Sequence, residues 1–309
     1  MSERPDILVV GSVALDSVRT PYGEIVEALG GSAAYFSLSA SHFAPVSVVA
    51  VVGEDFPAEH RALLEGRGVD LSGLETARGR TFRWSGEYGA ELTHAHTLET
   101  QLNVFSAFHP RLEAQHRDCR YVFLANIDPE LQLEVLQQMR TPRLSLSDTM
   151  DYWIARKPEL VLEVLRQVDV ALLNEEEARA LAGESILVRA ADRLLEQGAK
   201  AVIIKKGEHG ALFRTPEERF ITPAFPVEAI RDPTGAGDSF AGGFLGWLAR
   251  CGRVDGGVFP QAMACGTTMA SLAIEDFSPS RLAEIGQEEI GRRVALLHRM
   301  VHFDLEPLF

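Results

Sequence analysis

Asp232-Pro233-Thr234-Gly235-Ala236-Gly237-Asp238 forms a short glycine turn ending in a carboxylate, and an apolar stretch from Ser239 to Ala249 follows directly. That stretch predicts a helix, so the turn predicts a helix N-terminus. There the N–H groups of Gly235, Ala236 and Gly237 stand exposed and the macrodipole favours negative charge. Glycine leaves the backbone open to close approach by an anion. Asp238 stands beside that hole, placed to take a proton from whatever attacks the anion. An anion cradle with an adjacent base suits phosphoryl transfer to a hydroxyl. A glycine turn before a helix is also, in many proteins, only a tight connection.

The whole segment resembles the C-terminal signature D-T-x-G-A-G-D-x-F of the ribokinase-like sugar and nucleoside kinases, the PfkB group. Pro233 replaces the usual Thr and stiffens the entry to the turn. The resemblance runs from about residue 6 to about residue 285 and implies a fold. This is an α/β, ribokinase-like architecture with a mainly parallel central sheet, helices on both faces and a small β-strand lid. It also implies ATP as phosphoryl donor, Mg²⁺ as cofactor, Thr234, Gly235 and Gly237 as nucleotide contacts, and a small-molecule acceptor.

Three further segments resemble the family. Asn174-Glu175-Glu176-Glu177 resembles its N-x-x-E motif, whose Glu orders Mg²⁺ through water near the ATP phosphates. The same spacing makes Asn174 a helix cap and Glu177 its capping-box partner, and both readings can hold together. Lys205-Lys206-Gly207 resembles the turn that lines the nucleotide, with Gly207 allowing a close turn and Lys206 either reaching a phosphate or standing in solvent. Gly11 to Asp16 ends the first predicted strand and sets a carboxylate at its C-terminal rim, where open α/β sheets bind ligands. By the resemblance, Asp16, Gly30 and Gly31 bind the acceptor, Asp16 accepting from its hydroxyls. The family's G-G-x-x-x-N is not kept: a phenol, Tyr35, stands where an amide usually meets sugar hydroxyls. Some family members hold a monovalent cation such as K⁺ beside the anion turn, here near Asp232 and the 274–280 loop.

The elements that must position these residues are legible as short apolar runs alternating with helical patterns, the mark of a parallel sheet with crossover helices. Strands are predicted at Ile7–Val10, Val46–Val52, Tyr121–Ala125, Arg143–Leu146, Val168–Leu173 and Ala201–Lys205. Helices are predicted at Ser32–His42, Pro57–Gly66, Pro129–Met139, Pro158–Gln167, Glu175–Ala182, Leu187–Gln197, Gly237–Arg250, Gly257–Ala273 and Glu288–His302. Within the last but one, the small residues of Gln261–Ser271 either flank the adenine, as in the family, or simply allow close packing. Segments of about 15–29 and 80–105 break the rhythm and read as antiparallel strands outside the main sheet, the lid. The chain is expected to be one kinase domain over 1–309 with these two segments inserted in it.

Other residues invite chemistry. His94 and His96 would share one strand face as two metal ligands do, with no third ligand nearby. Asp148 and Asp151 follow a strand at the rim, and Asp148 loosely matches a family aspartate. Phe82, Trp84 and Tyr88, evenly spaced on a lid strand, would cover the substrate or form a homodimer contact through the lid.

Composition sets bounds on the rest. Thirty basic against 44 acidic residues give a net charge of −14, which argues against nucleic-acid and anionic-membrane partners. It does not argue against ATP, because a phosphate site is local and Mg²⁺ brings its own charge. No apolar run reaches the roughly 18 residues of a membrane span, and the N-terminus shows no signal peptide. Cys119, Cys251 and Cys265 are odd in number, lack metal-ligand spacing and suit a reducing cytoplasm. No Walker A motif or protein-kinase H-R-D set occurs, so the phosphate cradle must be the Gly-Ala-Gly turn. The reading is an ATP-dependent kinase of a sugar-like hydroxyl, with Asp238 as base. A nucleoside kinase is the alternative, and a non-catalytic ligand-binding regulator of the same fold a second.

Overall fold

Alternate residues of the central strands enter different cores, and this is why those strands read as unbroken apolar runs. Ile7 and Val9 pack on one side of the sheet, Leu8 and Val10 on the other. A strand covered on both faces has no polar side to show. The computed structural model of the chain describes residues 6–302, so the ends of the expected 1–309 domain lie outside the described residues.

Thirteen strands form among the described residues. In chain order they are β1 (Ile7–Val10), β2 (Ala14–Thr20), β3 (Gly23–Gly30), β4 (Val46–Gly53), β5 (Asp70–Ala77), β6 (Arg83–Tyr88) and β7 (Ala95–Gln101). Then come β8 (Tyr121–Leu124), β9 (Leu144–Ser147), β10 (Val170–Asn174), β11 (Val202–Lys205), β12 (Ala211–Arg214) and β13 (Arg219–Thr222). The nine-stranded sheet has the order β13-β12-β11-β10-β9-β8-β1-β4-β5. It is parallel from β11 to β5, and β12 and β13 add on antiparallel. Helices Ser32–Ala40, Ala236–Cys251 and Phe259–Ala273 cover one face. Pro129–Gln138, Pro158–Gln167, Glu175–Ala182 and Leu187–Glu196 cover the other.

The second sheet, β3-β2-β6-β7, is the lid. Its hairpins β2–β3 and β6–β7 are antiparallel as expected, but β2 and β6 run parallel, with Asp16 beside Trp84. Two segments distant in sequence lie side by side, so no tight turn constrains their relative direction. The strands β5, β12 and β13 were not expected. β5 and β13 lie at the sheet edges, where half-exposed patterns weaken the apolar signal, and β12 is a buried strand of only four residues.

The rim at the C-terminal ends of the parallel strands collects the chemistry. β1 runs into Gly11-Ser12, β9 into Asp148, and β10 and β11 end on Asn174 and Lys205, which are partners in register.

Candidate active site

Helix Ala236–Cys251 begins at Gly235, whose φ of 72° is the left-handed region that L side chains avoid. A Cβ there would lie within 2.5 Å of three ring atoms of Tyr35, so the Tyr35 ring is the floor on which the turn rests. Thr234 N–H donates to Asp232 Oδ1 at 2.9 Å and closes the turn's entrance. Of the expected amide donors, Ala236 N–H already reaches Pro233 O at 3.3 Å. No protein acceptor meets the Gly235 or Gly237 N–H among the described residues. Asp238 stands in the first turn, its pKa pushed up to about 7 by burial and then by Asp148, with Lys205 opposing.

Across the cleft, Asp16 is 7% exposed and accepts from Gly31 N–H at 3.2 Å. Gly31 has φ of 89°, and a Cβ there would meet Ser12 O at 2.5 Å; a Cβ on Gly30 would run into the Asp16 carboxylate. Reciprocal bonds between Ser12 and Ser32 fix this corner: Ser32 N–H donates to Ser12 Oγ at 3.1 Å and Ser12 N–H to Ser32 Oγ at 3.3 Å. Burial raises Asp16 to about 7, the Gly31 bond opposes, and Asp232 and Asp238 add to the rise. The Tyr35 hydroxyl, held well above its usual range by burial and then by Asp232 and Asp16, ends among the same acids.

The lid closes on the turn at two points. The Tyr88 hydroxyl lies 3.2 Å from Thr234 Oγ1, and Thr20 Oγ1 donates to Arg231 O at 2.9 Å. Trp84, in register with Asp16 on the neighbouring parallel strand, lies on the same face of the lid. Its indole N–H donates to Thr97 Oγ1 at 3.2 Å. Phe82 instead stacks on Phe105, 5.3 Å between centroids.

On the third side, Asn174 caps helix Glu175–Ala182. Glu177 N–H donates to Asn174 Oδ1 at 2.9 Å and Asn174 N–H to Glu177 Oε2 at 2.7 Å, a complete capping box. Glu177 is nonetheless 5% exposed, and its pKa reaches about 8 through burial, then Asp148, with Lys205 and the Asn174 amide opposing. A surface cap has no such rise.

Lys206 is expected either at a phosphate or in solvent; the structure brings its neighbour Lys205 to the turn. The Lys205 ammonium is bonded to Asp148 and lies 2.9 Å from where a Cβ on Gly237 would be. Lys206 opens the short Gly207–His209 turn, its N–H donating to Gly210 O at 2.7 Å, with Gly207 exposed at φ of 51°. The missed signal was register: Lys205 ends its strand beside Asn174. Asp148 is central, while Asp151 begins the helix Asp151–Arg156. His94 and His96 diverge, the first 3.5 Å from Glu176 and the second 3.7 Å from Glu87, and no metal-ligand cluster forms among the described residues. Helix Phe259–Ala273 uses its small residues for packing, with the Cys265 carbonyl close against Gly243. A cavity of about 400 Å³ lined by Ser41, His42 and Arg67 opens at the opposite rim, ahead of β4 and β5, away from every group described above.

Fold and site together define a class: an ATP-dependent phosphotransferase that delivers a phosphoryl group to a hydroxyl of a small, sugar-like acceptor. The chain belongs to the pfkB family of carbohydrate kinases, whose family model matches residues 4–285. Cytidine kinase of Thermococcus kodakarensis is 32% identical over 251 residues, 79% of this chain and 89% of that protein. Inositol 3-kinase of Arabidopsis thaliana is 24% identical, covering 93% and 80%. The fold matches that of the Burkholderia thailandensis nucleoside kinase in complex with inosine, with a TM-score of 0.78 at 17% identity and coverage of 96% and 98%. No helix among the described residues is long and apolar enough to cross a membrane.

Proposed function

We propose that the acceptor is a nucleoside, phosphorylated on its hydroxymethyl group. The observation that carries this is the aromatic lid: Trp84 is in register with Asp16 on the neighbouring strand, and Tyr88 touches Thr234 of the anion turn. A nucleoside has ribose hydroxyls for Asp16 and a flat base for an aromatic lid to cover. The similarity to a cytidine kinase supports the same class. Asp16, Gly30 and Gly31 hold the ribose, and the Tyr35 hydroxyl borders it. Asp238 takes the attacking hydroxyl's proton, while the Gly235 and Gly237 N–H groups donate to the transferring phosphoryl from the helix N-terminus, the expected third donor, Ala236, being engaged with Pro233 O. Thr234, Lys206 and Gly207 flank the nucleotide, and the closed lid keeps water from the γ-phosphate.

Magnesium fits the residues present, because Asn174, Glu177 and Asp148 offer oxygen donors in a buried, acid-rich corner. When bound, the ion would neutralise charge on the ATP phosphates. A monovalent cation fits beside the turn: the buried Asp232 Oδ2 meets no hydrogen-bond donor within normal range among the described residues, and Arg231 and Asp232 are pinned to Ile274 O at 2.8 and 3.3 Å. Replacing K⁺ by a large organic cation should therefore lower turnover. We also assign a homodimer through the lid, whose Val26 and Leu98 are exposed, and a reducing cytoplasmic setting for Cys119, Cys251 and Cys265. Sedimentation over a range of concentrations checks the first.

ADP release with Mg²⁺ across cytidine, uridine, adenosine, inosine, ribose, hexoses and inositols, with Asp238→Asn alongside, tests the acceptor. A nucleoside turned over at least about tenfold more efficiently than ribose is expected. Preference for a free sugar or an inositol would overturn the assignment.

A further inference from the structure

From the end of β13 at Thr222 to the anion turn at Thr234 the chain has neither helix nor strand. Such a segment stays where its contacts with the rest of the protein put it, yet it delivers Asp232 and the turn to the site. Its anchors lie far away in sequence. The Arg231 and Asp232 N–H groups both donate to Ile274 O, at 2.8 and 3.3 Å, and Thr20 Oγ1 donates to Arg231 O at 2.9 Å. Farther back, the Arg293 guanidinium lies over the Phe225 ring, 5.0 Å from its centroid.

Arg293 belongs to helix Gln287–Val301, beyond the residues 4–285 that the family model matches. It is 6% exposed, and all three nitrogens of its head are engaged. Nη2 donates to both oxygens of Glu275, at 2.7 and 2.8 Å, Nη1 to Ser271 Oγ at 3.1 Å, and Nε to Glu289 Oε1 at 2.9 Å. Glu275 is the next residue after Ile274. One guanidinium therefore grips the irregular segment near its start, through Phe225, and holds beside Glu275 the carbonyl on which the segment's end is pinned. From that carbonyl the bonded path runs on: Thr234 N–H donates to Asp232 Oδ1 at 2.9 Å, one residue before Gly235. The loop beyond Glu275 is held as firmly. Ser278 sits at φ of 61°, a conformation that a serine keeps where its surroundings impose it, and its hydroxyl donates to Leu29 O at 2.6 Å. A planar head with five donors serves such divergent partners at once, and an ammonium does not.

We propose that Arg293 is a positioning residue for phosphoryl transfer: it clamps Phe225 and Glu275 together and so fixes where Asp232 and the Gly235–Gly237 turn stand. It acts through the backbone, not on the substrate. Without it Glu275 keeps only the looser partner Arg281, whose Nε is 3.6 Å away, and the turn is free to shift. This rests on the assignment of the Gly235–Gly237 turn as phosphoryl cradle.

The test compares the full-length protein with Arg293→Met, Arg293→Lys, Arg292→Met and Asp238→Asn, at a temperature where circular dichroism shows every variant folded. Arg292 is the control: it also donates to Glu289 at 2.9 Å, but its side chain is 59% exposed and makes no hydrogen bond to Glu275. ADP release gives kcat and the acceptor KM, and hydrogen exchange reads the amides of residues 223–235. Arg293→Met should lower kcat about 10²-fold, the cost of a misplacement near 1 Å made far from the chemistry, and should speed exchange across 223–235. The acceptor KM should stay within about threefold, because Asp16 and Gly31 are joined by their own hydrogen bond. Arg293→Lys should recover part of the loss, and Arg292→Met should match the parent in both readouts. A kcat for Arg293→Met within about threefold of the parent overturns the proposal. So does an equal loss in Arg292→Met, which marks a general effect of the helix, or a lowered kcat with unchanged exchange at 223–235. If Arg293→Met leaves kcat intact while Asp238→Asn abolishes it, only the clamp fails; if both are silent, the cradle itself is misplaced. Should the stranded Glu275 carboxylate unfold Arg293→Met, adding Glu275→Gln removes the unpaired charge, and the double variant is judged by the same two readouts.

Discussion

Gly235→Ala tests the turn at its most constrained point. Two costs can be worked from the structure. The residue must keep φ near 72°, which costs about 1–2 kcal/mol for an L side chain. Its Cβ must also find room where three Tyr35 ring atoms stand within 2.5 Å, roughly 1 Å inside an ordinary contact. Overpacking of that kind costs about 1–3 kcal/mol. Together the substitution should destabilise by about 2–5 kcal/mol, or roughly 5–15 °C in Tm. Because the ring is buried and cannot swing aside, part of the overlap will be relieved by moving the turn. A displacement near 1 Å at a catalytic site costs about 10²-fold in rate, so kcat should fall by at least that much. Thermal unfolding and ADP release measure the two effects. The double variant with Tyr35→Ala makes the decisive cycle: the overpacking share should return, leaving the backbone share, and the coupling should be about 1–3 kcal/mol. Additive losses, or Gly235→Ala with parental Tm and kcat, would refute the reasoning that the ring supports the turn.

Asp238→Asn should cost about 10²- to 10⁴-fold in kcat with ATP affinity within a few-fold, read by single-turnover kinetics and calorimetry. With Asp238 near 7 and active as the carboxylate, kcat/KM should fall about tenfold per pH unit below that value, and a flat profile from pH 8 to 5 would remove it as the base. Glu177→Gln should raise the Mg²⁺ concentration for half-maximal rate several-fold; an unchanged Mg²⁺ titration leaves only the capping role. For Asp16 the folded pKa, about 7, lies above the usual 3.8, so the folded state binds the proton more tightly. Its contribution is fully present below pH 4 and is lost as pH rises through 7. Asp16→Asn should therefore raise Tm by a few degrees at pH 8 and by almost nothing at pH 4, while abolishing turnover.

The parallel core was legible because strands buried on both faces carry no competing pattern, and runs such as Ile7–Val10 and Val46–Gly53 are apolar throughout. Helix starts were legible where chemistry marks them: Pro158, Glu175 beyond its Asn174 cap, and the Gly235 turn. The helix N-terminus, Asp16, the glycine pair and the Asn174–Glu177 corner followed from local motifs. What stayed hidden was set by distant partners. Whether Lys205 or Lys206 enters the site depends on where β11 ends relative to β10, a register no single segment contains. The role of Tyr35 depends on Gly235, two hundred residues away in the chain. The parallel meeting of β2 and β6 depends on how two separate hairpins dock, and the sequence of either hairpin is indifferent to it.

Those same long spans bear on how the protein comes into being. Thr20 waits for Arg231, Leu29 for the Ser278 hydroxyl that donates to its carbonyl at 2.6 Å, and His42 for Leu282, whose carbonyl lies 2.7 Å from its ring. A nascent chain that has left the ribosome through β7 has every lid strand and no floor for the lid to rest on. High contact order slows such assembly, and apolar surface meant for the last third of the chain stays uncovered meanwhile. Synthesis is thus nearly finished before the first catalytic contact can form, and a truncated product, however well its early strands pair, carries no activity to misdirect ATP.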